Sequence, residues 1–501
     1  MTNTVSSAAE MKTGDIYQVV LDAGESQVID MDGVAQGAQF ELAILNLATS
    51  GNVTTALTSS DASVLANLAA DHPEDEDGWE DPSLQEAFDN HLRGLELALA
   101  AEAPPPVRAS LGKAAIARSA SVPSIGSTES LHVLSGLSGG GYTDVVGRVA
   151  CVTAQTIFYV DTEVDRKNPK DLSADDVNGL CEKFQKAIEV EFSLFGQPSD
   201  INGDQHIAVL MTPQVNRLGS SQGGIITGFF FANDLYPGRS SNSREILYIM
   251  VPDTAGLYGL PIEKSFAMNN LIPAVMVHEL QHAINYNTHV LAGQGKPEEA
   301  WLNEGLSHLA EDLLGYGIEN PARYALYLQR PEIYGLVTAG SPGLAERGGI
   351  FLLLRYLYEQ HGDGKQLVWD LLHSPATGVA NIEAAYASTD EGFDQFSEFL
   401  IRWGATLLLN NRGISADPRF QYADRLQAST GYWQGVCTIC DADDNRGTVL
   451  SGVKRASYMS KMGVSLEPAA TQYYLIDTVP AQINIAAPSS APFGAVLIRT
   501  K

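Results

Sequence analysis

The segment His278-Glu279-Leu280-Gln281-His282 sets two imidazoles four residues apart, with a carboxylate directly after the first. On a helix, side chains at i and i+4 lie one turn apart on one face. Both rings can therefore reach a single ion at about 2.0 to 2.1 Å. Glu279 is rotated by about 100° from His278, away from the shared ligand position but within reach of a water on the ion. Tetrahedral zinc held by three protein ligands keeps its fourth position for that water, which is what hydrolysis requires. The plainer account of the same five residues is a helix that carries two surface or core histidines.

Trp301-Leu302-Asn303-Glu304-Gly305 changes that balance. It lies far enough beyond His282 for a helix, a turn and an antiparallel return that brings Glu304 over the histidine pair. Glu298 and Glu299 are rival third ligands, but they fall at the expected helix start, where carboxylates commonly serve the macrodipole. Motif and spacing together favour His278, His282 and Glu304 as metal ligands, with Glu279 as general base.

The elements that must position these residues can be read from periodicity. A helix is expected over 269–287, with Asn269 and Asn270 able to cap it and Pro273 in its first turn, where a missing N–H is harmless. A second is expected over 298–314, because Leu302, Leu306, Leu309 and Leu313 repeat at the spacing of one buried face. Upstream, strands are expected near 143–160, 206–212 and 245–251, with a helix over 174–195; more helix follows over 347–412. The fold class implied is α+β, a mixed sheet followed by a mostly helical part. The strands before the active helix, 245–251 among them, could pair an extended substrate by edge addition.

Around this core the texture changes twice. Residues 1–66 alternate as short strands between turns and read as a β-sandwich-like module, and 445–501 read as a C-terminal β-module. Between them, 67–130 is acidic and then rich in Pro, Ala and Ser, a linker with one helix near 83–100 and room for a propeptide-like role; 131–444 is the catalytic domain.

Composition bounds the partners. The 501 residues are 45% hydrophobic and 18% charged, which suits a buried core. A net charge of −29 repels phosphate backbones, so nucleic acid is excluded as a general partner. No apolar run reaches membrane-spanning length. The first 30 residues contain no leader pattern, so a secreted, periplasmic or surface-attached protein is expected only with its leader absent from the sequence. Cys151, Cys181, Cys437 and Cys440 allow three pairings, with a local disulfide or two free thiols at Cys437 and Cys440.

The strings HELQHAINYN and AWLNEGLSHLAED resemble those of the gluzincin metallopeptidases, most closely the hyicolysin-like neutral metallopeptidases. DINGDQHIAVLMT, GGIITGFFFANDLYP and REILYIMVPD are similar to that family too, and the likeness extends to about residue 420 but not to the terminal modules. It implies a zincin-type domain and a zinc endopeptidase acting on proteins or peptides, with the same three ligands and the same base. Asn303-Glu304 before an apolar helix is also similar to thermolysin and to aminopeptidases with a W-L-N-E-G string; no G-x-M-E-N-like amine-binding segment precedes 278. Where thermolysin-like enzymes place an Asp four residues after the glutamate ligand, this chain has His308. Such families also supply a Tyr or His for the oxyanion. Tyr286, His289, Tyr316, Tyr324, Tyr327 and Tyr334 are the candidates, and no Tyr stands near Arg347-Gly348.

Weaker signals have plainer explanations. Asp200, Asn202 and Asp204 form an oxygen-rich loop that could hold Ca²⁺, but Gly203 falls at the wrong place for a standard loop, and an acidic turn suffices. Asp441, Asp443, Asp444 and Asn445 form a similar cluster. The G-x-S-x-G strings at 136–140 and 219–223 lack the helix that a nucleophile elbow needs. The rival from another class is a non-catalytic binding or adhesion protein with a peptidase fold, against which the presence of Glu279 beside all three ligands speaks.

Overall fold

In a computed structural model of the chain, residues 7–59, 83–102, 121–238, 240–338, 340, 342–387, 395–442, 447–459 and 461–501 are described. The architecture is mixed α and β with several sheets, compatible with the α+β expectation. Strands β1 (Ile16–Leu21), β2 (Ser26–Asp30), β3 (Phe40–Asn46) and β4 (Val53–Ser59) come from the N-terminal end of the chain. The C-terminal end supplies β15 (Ala456–Ser457), β16 (Lys461–Leu466), β17 (Thr471–Ile476), β18 (Gln482–Ala486) and β19 (Phe493–Arg499). The two sets do not form separate modules. They interleave in two sheets, β1-β19-β3-β17-β15 and β16-β4-β18-β2, so β3 is hydrogen-bonded to β17 and β19 on its two sides. This corrects the expectation of two flanking β-modules. Every ladder that β1 to β4 make is with a C-terminal strand, so their backbone groups are met by pairing across the whole length of the chain.

The central sheet is six-stranded, in the order β5 (Thr128–Leu134), β6 (Tyr142–Val152), β7 (Thr156–Asp161), β8 (Ile207–Met211), β10 (Ile246–Ile249) and β9 (Gly228–Phe230). β7, β8 and β10 run parallel and every residue in them is buried, which is why they read as unbroken apolar runs. The 245–251 segment therefore lies inside the sheet; the edge belongs to β9, antiparallel to β10. Four two-residue strands, β11 (Leu426–Gln427), β12 (Trp433–Gln434), β13 (Ile439–Cys440) and β14 (Leu450–Ser451), form two small pairs outside it.

The helices are α1 (Leu84–Glu102), α2 (Thr162–Lys167), α3 (Ala174–Phe195), α4 (Pro213–Ser220), α5 (Ile272–Tyr286), α6 (Ala300–Leu313), α7 (Asn320–Gln329), α8 (Leu344–Gln360), α9 (Gly364–His373), α10 (Val379–Tyr386) and α11 (Phe396–Leu409). α3 begins with a capping box between Ser173 and Asp176, and its Cys181 forms a disulfide with Cys151 of β6. Cys437 and Cys440 form the local disulfide. α11 lies against β3 and β19, joining the sandwich to the helical part.

The expected 67–130 linker is structured in part. α1 is present over almost the span expected, but it is packed into the domain with Phe88, Leu92 and Ala100 buried, and β5 begins at Thr128. Residues 67–82 and 103–120 lie outside the described residues, as do Asp443, Asp444 and Asn445.

Close helix packing depends on two glycines. A Cβ at Gly305 of α6 would meet Ile350 and Leu354 of α8, and one at Gly348 would fall on the backbone of Arg323 and Tyr324 in α7. Backbone cannot move aside as a flexible side chain can. Gly348→Ala is therefore expected to destabilise by about 1–3 kcal/mol. Gly94→Ala, on the exposed side of α1 with open space around it, should gain about 0.5–1 kcal/mol instead. Thermal denaturation separates the two, and an unchanged melting temperature for Gly348→Ala would refute this packing.

Candidate metal centre

α5 is buried at almost every position, so its two histidines sit inside the protein. Its start differs from expectation. A π-turn over Ala267–Leu271 leads straight into Ile272, and no side chain caps the helix, so Asn269 and Asn270 are part of the turn. Pro273 lies in the first turn, as expected. α6 then returns alongside α5 and carries Glu304 over the pair. His278 Nε2 lies 3.4 Å from Glu304 Oε2, and His282 Nε2 lies 3.6 Å from Glu304 Oε1. All three residues are buried, and together they form a group that could hold a metal ion.

The rival glutamates are committed elsewhere. Glu298 accepts from the backbone N–H groups of Gly378 and Glu299 and from Asn381 Nδ2, at 2.6 to 2.7 Å. Glu299 accepts from Trp301 Nε1 at 2.8 Å.

Each histidine is aimed by a partner on its other nitrogen. His278 Nδ1 is 2.7 Å from Glu311 Oε1, and His282 Nδ1 is 3.0 Å from Asn303 Oδ1. Both acceptors fix the N–H on Nδ1 and leave the Nε2 lone pair facing Glu304. Glu311 and Asn303 were not singled out from sequence. The signal was present: Glu311 lies seven residues beyond Glu304, two turns along the same face of α6, and Asn303 adjoins Glu304 itself. Glu311, and not His308 four residues after Glu304, is the residue that bonds His278 Nδ1. His308 supports it, its Nδ1 3.1 Å from the same oxygen and its ring centroid 4.9 Å from that of His278. His278, His308 and Glu311 also lie close enough to form a metal group. However, separations of 2.7 and 3.1 Å suit hydrogen bonds better than two ligands of one ion.

Arg347 on α8 was also missed. Its Nη1 is 2.7 Å from Glu304 Oε2 and 3.1 Å from Asp89 Oδ2, although the N–H is not aligned on Glu304. Among the described residues neither oxygen of Glu304 has a hydrogen-bond donor. The close approach of α6 and α8 at Gly305 makes this ion pair possible.

The electrostatics favour a cation. Burial works against charge on Glu304, but Arg347 and then His282 hold its carboxyl well below the usual carboxylate range. Burial likewise opposes a charged His278, yet the carboxylates of Glu304 and Glu311 beside its ring push it up to about 10, the mark of a pocket seeking positive charge. Burial drives His282 well below the ordinary imidazole value. Glu279 is pushed up to about 8, chiefly by burial and against the pull of His278.

Glu279 turns away from the ligand face, as its rotation predicts. Its Oε2 accepts from the backbone N–H of Phe230 on the edge strand β9 at 2.8 Å. It lines a cavity of about 190 Å³ together with His278, His308, Glu311, Arg323 and Arg347.

The oxyanion candidates are not there. Tyr286 bonds Tyr236 at 2.7 Å, His289 bonds the Leu371 carbonyl at 3.2 Å, and Tyr324 bonds the Cys437 carbonyl at 3.2 Å. None of these, nor Tyr316, Tyr327 or Tyr334, lines the cavity; the polar groups that do so from the helical side include Arg323 and Arg347. The Asp200–Asp204 loop spends its oxygens within its own turn, on Gln205 N, His206 N and Asn202 Nδ2. Among the described residues it forms no group that could hold an ion. The strings at 136–140 and 219–223 are loop and turn, the second closing the end of α4. Among the described residues no helix is long and apolar enough to cross a membrane.

The chain matches no family model and no curated protein sequence.

Proposed function

We propose that this protein is a zinc-dependent endopeptidase of zincin type, akin to the gluzincins. The observation that carries the proposal is the meeting of two Nε2 atoms with a buried carboxylate that lacks hydrogen-bond donors among the described residues, beside a second carboxylate that faces a cavity. Tetrahedral zinc with ligands at about 2.0 to 2.2 Å sets neighbouring ligand atoms about 3.3 to 3.6 Å apart. The separations of 3.4 and 3.6 Å fit that geometry with little movement. Two imidazoles and one carboxylate are also the donor set of a catalytic zinc site with an open position.

Zinc bound there would acidify a water toward about pH 7 and polarise a peptide carbonyl. Glu279, one residue from a ligand yet off the ligand face, takes the proton from the attacking water and returns it to the leaving amine. At the edge marked by β9, the Thr227 N–H and the Gly228 C=O are met by the side chain of Gln85, a donor and an acceptor that would suit an extended peptide in its place. Proteins and unfolded peptides are therefore the substrates. The two disulfides support an oxidising compartment, hence a secreted, periplasmic or surface-attached enzyme.

Elemental analysis of the purified chain should find one zinc per chain. Digestion of an unstructured casein-type substrate should fall to background with a chelator and return on adding zinc. Digestion that is unchanged in the metal-stripped chain would refute the proposal.

A further inference from the structure

We propose that α1 is a built-in plug of the peptidase cleft, and that a peptide substrate gains the edge of β9 only when α1 leaves it; this rests on the peptidase reading above.

The contacts of α1 fall on the groups a substrate would need. Gln85 Nε2 donates to the Gly228 carbonyl at 3.1 Å, and Gln85 Oε1 accepts from the Thr227 N–H at 2.7 Å and from its hydroxyl at 3.1 Å. One side-chain amide thus fills a backbone donor and a backbone acceptor on the open edge of the sheet, as a peptide group of an added strand would. Three residues on, Phe88 packs edge-to-face on Phe229 of that strand, with centroids 5.3 Å apart. One residue further, Asp89 meets Arg347, whose guanidinium also faces Glu304. With α1 in place, Glu279 and the three ligands are between 0 and 6% exposed, too little for a protein substrate to enter.

The buried face of α1 is unlike that of a permanent core helix. Alongside Phe88 and Leu92 it carries Glu86, Asp89, Arg93 and Glu96, all buried. Arg93 Nη2 and Glu96 Oε1 pair at 3.1 Å, but among the described residues Arg93 Nε and Nη1 and Glu86 Oε2 have no hydrogen-bond partner. Burying charge with incomplete pairing costs stability that an apolar face would keep. Such a face suits a helix that must be displaced, since leaving rehydrates those groups.

A reversible tether tests this in the full chain. A Cβ on Gly224 would lie 2.9 Å from that of Leu84, so a small outward shift gives the spacing of a disulfide in the variant Leu84→Cys/Gly224→Cys. Oxidised, this variant should hydrolyse a quenched unstructured peptide at least about tenfold more slowly than after reduction, and should release zinc to a chelator more slowly by a similar factor. The parent treated with the same reductant is the control for the native disulfides. The opposite variant, Gln85→Ala/Phe88→Ala, should hydrolyse faster than the parent and release zinc faster, with near-ultraviolet dichroism reporting that the domain is still folded. Equal hydrolysis and equal zinc release in the oxidised and reduced tether would overturn the plug, whether or not the parent is active. A chain that takes up no zinc in any of these forms would overturn the peptidase reading, and the plug with it. Slower zinc release on tethering in a chain that hydrolyses nothing would reject the peptidase reading and leave α1 only as a cover of the metal site.

Discussion

Glu279→Gln is expected to retain one zinc per chain and the melting temperature of the parent, while hydrolysing an unstructured protein about 10²- to 10⁴-fold more slowly. The structure explains why these effects should separate. Glu279 Oε2 accepts a hydrogen bond from the Phe230 N–H, and a glutamine amide oxygen can accept the same bond at the same place. Volume and the link to β9 are kept. What is lost is basicity, because an amide cannot take a proton from water at neutral pH. Neither Glu279 nor its replacement touches the ligand face, so metal content should not move. The comparison is best made twice, in the parent and in the Gln85→Ala/Phe88→Ala background, so that a slow parent does not hide the ratio. Equal activity in the variant and its parent would show that chemistry takes place elsewhere. Equal inactivity of both backgrounds over a broad panel of unfolded proteins would favour a binding or adhesion protein.

Glu304→Ala should lose zinc affinity by more than about 10²-fold, beyond the 10- to 100-fold that loss of a residue holding a ligand in place usually costs. Among the described residues its two oxygens have no hydrogen-bond donor, so their role in the fold is limited to the ion pair with Arg347 and the approach of the two histidines. Arg347 keeps Asp89 at 3.1 Å when Glu304 is removed, and the chain should still fold. Glu298→Ala should do the reverse. It strips a buried acceptor from two backbone N–H groups and Asn381, costing about 1–3 kcal/mol of stability while leaving zinc in place. Zinc titration and thermal melts on the two variants give opposite patterns. Full zinc occupancy in Glu304→Ala would assign the third ligand to another carboxylate.

The local parts of the site were legible in the sequence because they depend on helical geometry alone. His278 and His282 share one helix face by their four-residue spacing, and Glu279 turns aside by the same rotation. Leu302, Leu306 and Leu309 mark the buried side of α6 that returns Glu304 to the pair. Even Glu311 and Asn303 could have been inferred by placing α6 against α5. The α1 helix was legible as an element too, since its span has good helix formers between segments that lack periodicity. Tertiary structure alone decided where these elements go. Nothing near residue 347 announces that Arg347 will meet Glu304 and Asp89, because those contacts join helices from three distant parts of the chain. The short strand Gly228–Phe230, not the longer apolar run 246–249, became the sheet edge, since strand order is set by crossover connections that leave no local mark. The same holds for the sandwich. Alternation marks β3 and β19 as strands, but backbone hydrogen bonding carries no residue code, so only the folded chain shows that they pair with each other.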